Sequence, residues 1–201
     1  MTDDTPFALS AQAQSLLFRD ARTANSFSDE PLPPDIVQRI YDLVRWGPSS
    51  GNTQPLRYLV VQSAEARERL SRHMRPANRT KTAGAPLAVV LAADTCFHEH
   101  MNALLPYMEN ARDYFAADPV TRESGARFNA ALQAGYFIMG IRAVGLAAGP
   151  MLGFDSAGVD NEFFPDGRFK SILVVNIGKP GPDAWMERLP RLDPDEAIVT
   201  V

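Results

Sequence analysis

The sequence predicts an α+β layered domain, and three observations predict it. Residues 87–93 and 171–177 are continuous apolar runs of strand length, read as buried strands. Residues 128–144 are apolar on nearly every face, the pattern of a central buried helix. Helical and strand-like segments are mixed without strict alternation, which favours α+β layers over a doubly wound parallel sheet. At 201 residues, 45% hydrophobic and 22% charged, the chain fits one compact domain and leaves little room for two.

In chain order, residues 8–18 read as an N-terminal helix. Ile36, Val37, Ile40, Tyr41 and Val44 recur at helical spacing, with Pro34 and Asp35 suited to the opening turn, and that helix must end near Trp46-Gly47-Pro48. A strand is expected over 57–61, then a charged surface helix over 64–74 behind a Ser63 cap. The central helix offers Ala130, Ala131, Ala134, Gly135 and Gly140 for close approach and is stopped by Gly145. The 171–177 strand is closed by Gly178-Lys179-Pro180-Gly181. Residues 197–201 have strand character without a nearby hairpin partner, so a distant sheet edge, in this chain or another subunit, is their expected mate.

The charge balance narrows the partners. With 24 Asp plus Glu against 20 Lys plus Arg the net charge is −4, and no basic cluster exists to displace counterions from nucleic acid or an anionic membrane. A small-molecule partner is expected. The opening residues are acidic where an export signal would be basic, and no apolar run approaches the roughly 20 residues of a bilayer span, so the expected location is cytoplasmic. Cys96 is the single cysteine, which excludes an internal disulfide and a multi-cysteine metal site and reads as a small buried hydrophobe. His98 and His100, two residues apart, face opposite ways on a helix and find no third ligand, so no metal is expected. The glycine-rich turns of dinucleotide and P-loop folds are absent.

Four constellations could carry chemistry. Residues 46–55 run from a helix end into prolines, glycines, hydroxyls and amides, a loop able to hydrogen-bond a flat heteroaromatic ring. Asn78 and Lys81, three residues apart, point the same way on a helical turn, and a lysine beside an electron-accepting ring stabilises its reduced form. Arg19-Asp20-Ala21-Arg22-Thr23-Ala24-Asn25 can hold a phosphate, with Arg188 and Arg191 closing the site from the other side. Residues 149–155 supply glycines that let main-chain N–H groups approach a ligand.

Taken in order, Arg22-Thr23-x-Asn25, Pro48-Ser49-Ser50-x-Asn52-x-Gln54-Pro55, Asn78-x-x-Lys81, Pro150-Met151-Leu152-Gly153-Phe154 and Arg188-Leu189-Pro190 resemble the FMN-binding segments of the nitroreductase family. The resemblance spans roughly residues 15–195. It implies a central, mostly antiparallel sheet flanked by helices, and an intertwined homodimer with two flavins in its interface. A C-terminal arm, about residues 184–201, would lie on the partner subunit. By position it implies Arg22, Thr23, Arg188 and Arg191 around the FMN phosphate with Asn25 nearby, and Asn78 and Lys81 at the pyrimidine edge. Leu152 and Gly153 would give backbone contacts. Pro48, Ser49, Ser50 and Asn52 would line the ring, Ser50 reaching the flavin of the second subunit. The implied activity is ping-pong hydride transfer from NADH or NADPH through FMN to a small oxidant, with no catalytic side chain named. Within the family, Trp46-Gly47-Pro48, Gly149-Pro150-Met151-x-Gly153-Phe154-Asp155 and Arg188-Leu189-Pro190-Arg191-Leu192 are similar to malonic semialdehyde reductases (3-hydroxypropanoate dehydrogenases). A non-catalytic flavin sensor or carrier is the alternative. Ala21 and Asn25 stand where many relatives are basic, which shifts phosphate binding onto Arg22, Arg188 and Arg191, and Leu152 replaces a common acid.

Overall fold

The structure, a computed structural model, describes residues 7–201; the acidic opening that bore on the export reading lies largely outside them. β2 (Leu87–Asp94) is buried at every position, as its unbroken apolar run requires, and pairs antiparallel with β1 (Leu56–Val61) and β4 (Phe169–Gly178). β4 then pairs antiparallel with β3 (Ala147–Met151), giving the order β1-β2-β4-β3. A register shift at Leu91/Ala92 accommodates a bulge between the two central strands.

Alternation along the strands creates two cores. On one face Val89, Leu91, Val175 and Ile177 pack with Ile36, Val37 and Ile40 of α2 (Ile36–Val44) and with Ala130, Phe137 and Ile141 of α7 (Pro119–Ala143). On the other, Ala88, Val90 and Val174 meet Leu70 of α3 (Ala64–His73), Met74 just beyond its end and Val159 of α8 (Ser156–Phe163). Each fully buried Ile or Phe contributes about 1.5–3 kcal/mol of transfer free energy. α2 and α7 lie close because position 140 is glycine: a Cβ there would meet Val44 Cγ1 at 2.5 Å.

Several expectations need correction. Residues 149–151, given no strand above and expected only to bring glycines to a ligand, are edge strand; Gly149 and Pro150 argue locally against a strand, and pairing with β4 overrides them, with Pro150 tolerated where no second neighbour needs its N–H. The central helix begins earlier, at Pro119 behind an Asp118 cap, and is not buried all round: Phe128 is 71% exposed, with Leu132 and Tyr136 also open. The N-terminal helix is shorter, Ala11–Gln14, continued by a π turn at Ser15–Arg19. Cys96 is half-buried. Pro194–Ala197 forms a helical turn, and although Ile198 is extended (φ −119°, ψ 119°), no strand forms over 198–201 within the chain. Of the segments left unassigned above, Phe97–His100, Met101–Leu104, Ala111–Ala116 and α8 are helical.

Candidate active site

The folded chain gathers most of the expected residues into two separate groups. The first lies beyond the β3 edge. Ala24 N donates to Ala148 O at 2.9 Å, bringing the Arg22–Asn25 segment beside β3, and Asn25 N donates to Ala184 O at 2.9 Å. Asn25 Nδ2 makes longer contacts, 3.4 Å each, with Thr23 O and Ala184 O. α4 (Pro76–Ala83) presents Asn78 and Lys81 one turn apart. Lys81 Nζ donates to Asn25 Oδ1 at 2.7 Å, and Asn78 Nδ2 to Gly153 O at 3.1 Å. Arg75 N donates to the same carbonyl at 3.0 Å, and Asp155 N to His73 O at 2.8 Å, so the start of α4 and the 153–155 turn are stitched together. Arg22 Nη1 donates to Met186 O at 3.0 Å and Arg188 to Arg19 O, which pins the beginning of the C-terminal segment over the arginines.

Arg191 stands apart. Its guanidinium donates only to its neighbours Leu189 O and Pro190 O, so the structure does not join it to the other cations. Leu152 turns its side chain outward, 75% exposed.

The second group is the 48–54 loop. Gly51, Asn52 and Gln54 have φ of 57°, 53° and 42°, a left-handed path that non-glycine residues hold only when the surroundings fix them. Those surroundings are dense. Ser50 N donates to Asn129 Oδ1 at 2.7 Å, Gln54 N to Ser49 Oγ at 3.1 Å, and Asn52 Nδ2 to Leu104 O at 2.8 Å. Arg57 holds Gln54 O at 2.8 Å while bonding Asp94 at 2.7 Å, and the fully buried Asp94 is also clamped by Arg168 at 2.9 Å. Hydrogen bonding to Asp94 raises the Arg168 pKa above its ordinary value. Ser49 and Asn52 therefore shape the loop, while Pro48 and Ser50 are exposed on it. None of the loop's hydrogen bonds reaches Lys81, Asn78 or Gly153.

Sequence reasoning missed the Arg57–Asp94–Arg168 clamp and the Asn129 support. For Asn129 a signal existed: with Gln133, which accepts from Leu56 N at 3.1 Å, it forms an amide pair four residues apart within an apolar helix. The clamp had none, since its members, on β1, at the end of β2 and just before β4, lie far apart in sequence.

The first group has the chemistry for an anion and a flat polar edge. Among the described residues, no carboxylate lies within 4 Å of Arg22, Lys81 or Arg188. The Leu152 and Gly153 N–H groups likewise donate to no protein acceptor there. Unneutralised cations beside amides and open main-chain donors fit a phosphate at one end and a heterocyclic ring edge at the other.

Such a fold and donor set define a protein that holds a flat, anionic cofactor. Family comparison makes this specific: the model of the nitroreductase family matches residues 19–179, and the chain belongs to that family of oxidoreductases. A Streptomyces griseus protein with the provisional name NADH dehydrogenase/NAD(P)H nitroreductase is 58% identical over 193 residues, covering 96% of this chain and 98% of that protein. A Leptothrix cholodnii protein of the same provisional name is 45% identical over 194 residues, covering 96% and 98%. A protein from Exiguobacterium sibiricum, provisionally a nitroreductase and solved in complex with FMN, superposes with a TM-score of 0.84 at 16% identity, covering 96% of this chain and 98% of that one. Among the described residues no helix is long and apolar enough to cross a membrane, and no group of three potential metal-ligating side chains occurs.

Proposed function

We propose that this oxidoreductase is a homodimer that binds FMN between the Lys81 group of one chain and the Ser50 loop of the other, and uses NADH or NADPH to reduce a small semialdehyde. The observation that carries the reading is the convergence of Lys81, Asn25, Asn78 and the Gly153 carbonyl in a network of cations without carboxylate partners. When bound, FMN supplies two-electron chemistry, accepting a hydride from the nicotinamide and passing it to the oxidant.

The chain's own residues bind and orient. Arg22 and Arg188 would neutralise the phosphate, and Arg191 joins them only if the C-terminal segment rearranges on the partner. Lys81 would offset negative charge on the reduced ring, and Asn78 with the Leu152 and Gly153 N–H groups would fix its polar edge. The carbonyl oxygen of a reduced aldehyde takes its proton from solvent by default. A single domain with residues 184–201 as an arm suits this assembly. From 185 onward the segment is exposed, with Leu189, Leu192 and Val199 uncovered. The free edge of β1 borders a groove of about 830 Å³ shared with α2, where an extended segment such as 198–201 of a second copy could add. The similarity to malonic semialdehyde reductases supports the oxidant, and an intracellular reductant supports a cytoplasmic setting.

The test is the visible spectrum of FMN-loaded protein before and after NADH without oxygen. Bleaching of the flavin band is expected, with colour restored on adding the oxidant. A yellow protein that NADH leaves unchanged would make it a carrier or sensor, and one that takes up no FMN would refute the site.

A further inference from the structure

Beside the Ser50 loop lies a cavity of about 350 Å³, at the small end of ordinary ligand pockets. Phe97, Tyr114 and Phe115 give it aromatic walls, and Ser50, Thr53 and Arg122 also line it. None but Ser50 has a part in the FMN site described above.

Two groups here lack partners. Thr53 is 3% exposed, yet its Oγ1 makes no hydrogen bond among the described residues, an unfavourable state for a buried hydroxyl. Arg122 donates Nε to Thr95 O at 2.9 Å and Nη1 to Ala116 O at 3.0 Å, leaving Nη2 without a protein acceptor. Among the described residues no carboxylate lies within 4 Å of that guanidinium. Asp118 also lines the cavity, but its carboxylate is turned to its own helix, accepting from Val120 N at 3.0 Å and Thr121 Oγ1 at 2.6 Å. Burial and the charge of Arg122 push the pKa of nearby His98 below its ordinary value.

A guanidinium held by two main-chain carbonyls is preorganised, and aromatic walls strengthen any charge pair formed beside them. We propose that Arg122 and Thr53 hold the carboxylate of a short carbonyl acid, so that the protein selects anionic oxidants over neutral ones of the same size. The inference rests on the FMN-oxidoreductase reading through Ser50, which belongs to both the loop and the cavity. In the balanced reaction the aldehyde carbon gains a hydride that originates in NAD(P)H, its oxygen gains a solvent proton, and NAD(P)⁺ and the hydroxy acid leave; the carboxylate is unchanged.

Malonic semialdehyde and its methyl ester, assayed as oxidants of the FMN-loaded protein, test this together with calorimetric binding of malonate, which does not react. At least a tenfold preference in kcat/KM for the acid is expected. Arg122→Gln should raise KM for the acid about tenfold or more and leave the ester unchanged. Thr53→Val should weaken malonate binding without lowering Tm, since the hydroxyl it removes has no partner in the free protein. Equal use of acid and ester, or malonate affinity unchanged in Thr53→Val, would overturn the inference. Should Arg122→Gln fail to fold for want of its two carbonyl contacts, Thr53→Val and the acid–ester comparison decide. A protein that NADH reduces and a neutral quinone reoxidises, but that shows no acid preference, loses this inference alone. Where NADH fails to reduce it, the function proposed above falls and malonate binding decides this one.

Discussion

Gly153 is where the tightest local constraint meets the proposed chemistry. A Cβ there would sit 2.5 Å from Asn78 Nδ2, the same amide that donates to the Gly153 carbonyl. Gly153→Ala should therefore swing Asn78 away without unfolding the chain. Losing one well-placed hydrogen bond, about 1.4 kcal/mol, should raise the FMN dissociation constant about tenfold in a fluorescence titration, with the apoprotein Tm nearly unchanged. Unaltered affinity would remove Asn78 from the site. Asn78 and Lys81 were legible in the sequence because three residues on a helix fix their relation. The Lys81–Asn25 bond was not, because its partners are 56 positions apart and only the fold brings them together.

At the scale of elements, α3 and α8 brace the turn that carries Gly153. Glu162 accepts from Arg69 at 2.6 Å and from His73, and His73 in turn accepts from Asp155 N. Hydrogen bonds from Arg69 and His73 hold the Glu162 pKa below its ordinary 4.5. A carboxylate whose folded pKa is depressed contributes stability that is present above the unfolded pKa and lost as pH falls through the folded one. The Tm advantage of wild type over Glu162→Gln should thus hold at pH 7, shrink below about pH 4.5 and vanish at more acid pH; a pH-independent difference would mean packing rather than charge. α2 was readable from its helical periodicity, and β2, β4 and the body of α7 from their apolar runs. β3 was not, since Ala-Ala-Gly-Pro-Met has no intrinsic strand preference and becomes a strand only against β4.

For the whole molecule, the sequence carried the layered fold but not which face of α7 would stay open, because an all-apolar helix gives no direction to its burial. The open side, Phe128, Leu132 and Tyr136, together with the 82% exposed Trp46, leaves an apolar surface suited to a second copy. The site residues likewise fall into two groups that one chain does not join. If two copies complete each cradle, defects in the two groups can be sorted into different sites. In a hybrid pairing a Lys81→Ala chain with a Ser50→Asp chain, one cradle inherits both lesions and the other inherits neither. Purified through separate tags, that hybrid should regain up to half the wild-type flavin per dimer although both parents are colourless, a rescue that two faults in the same half could never produce.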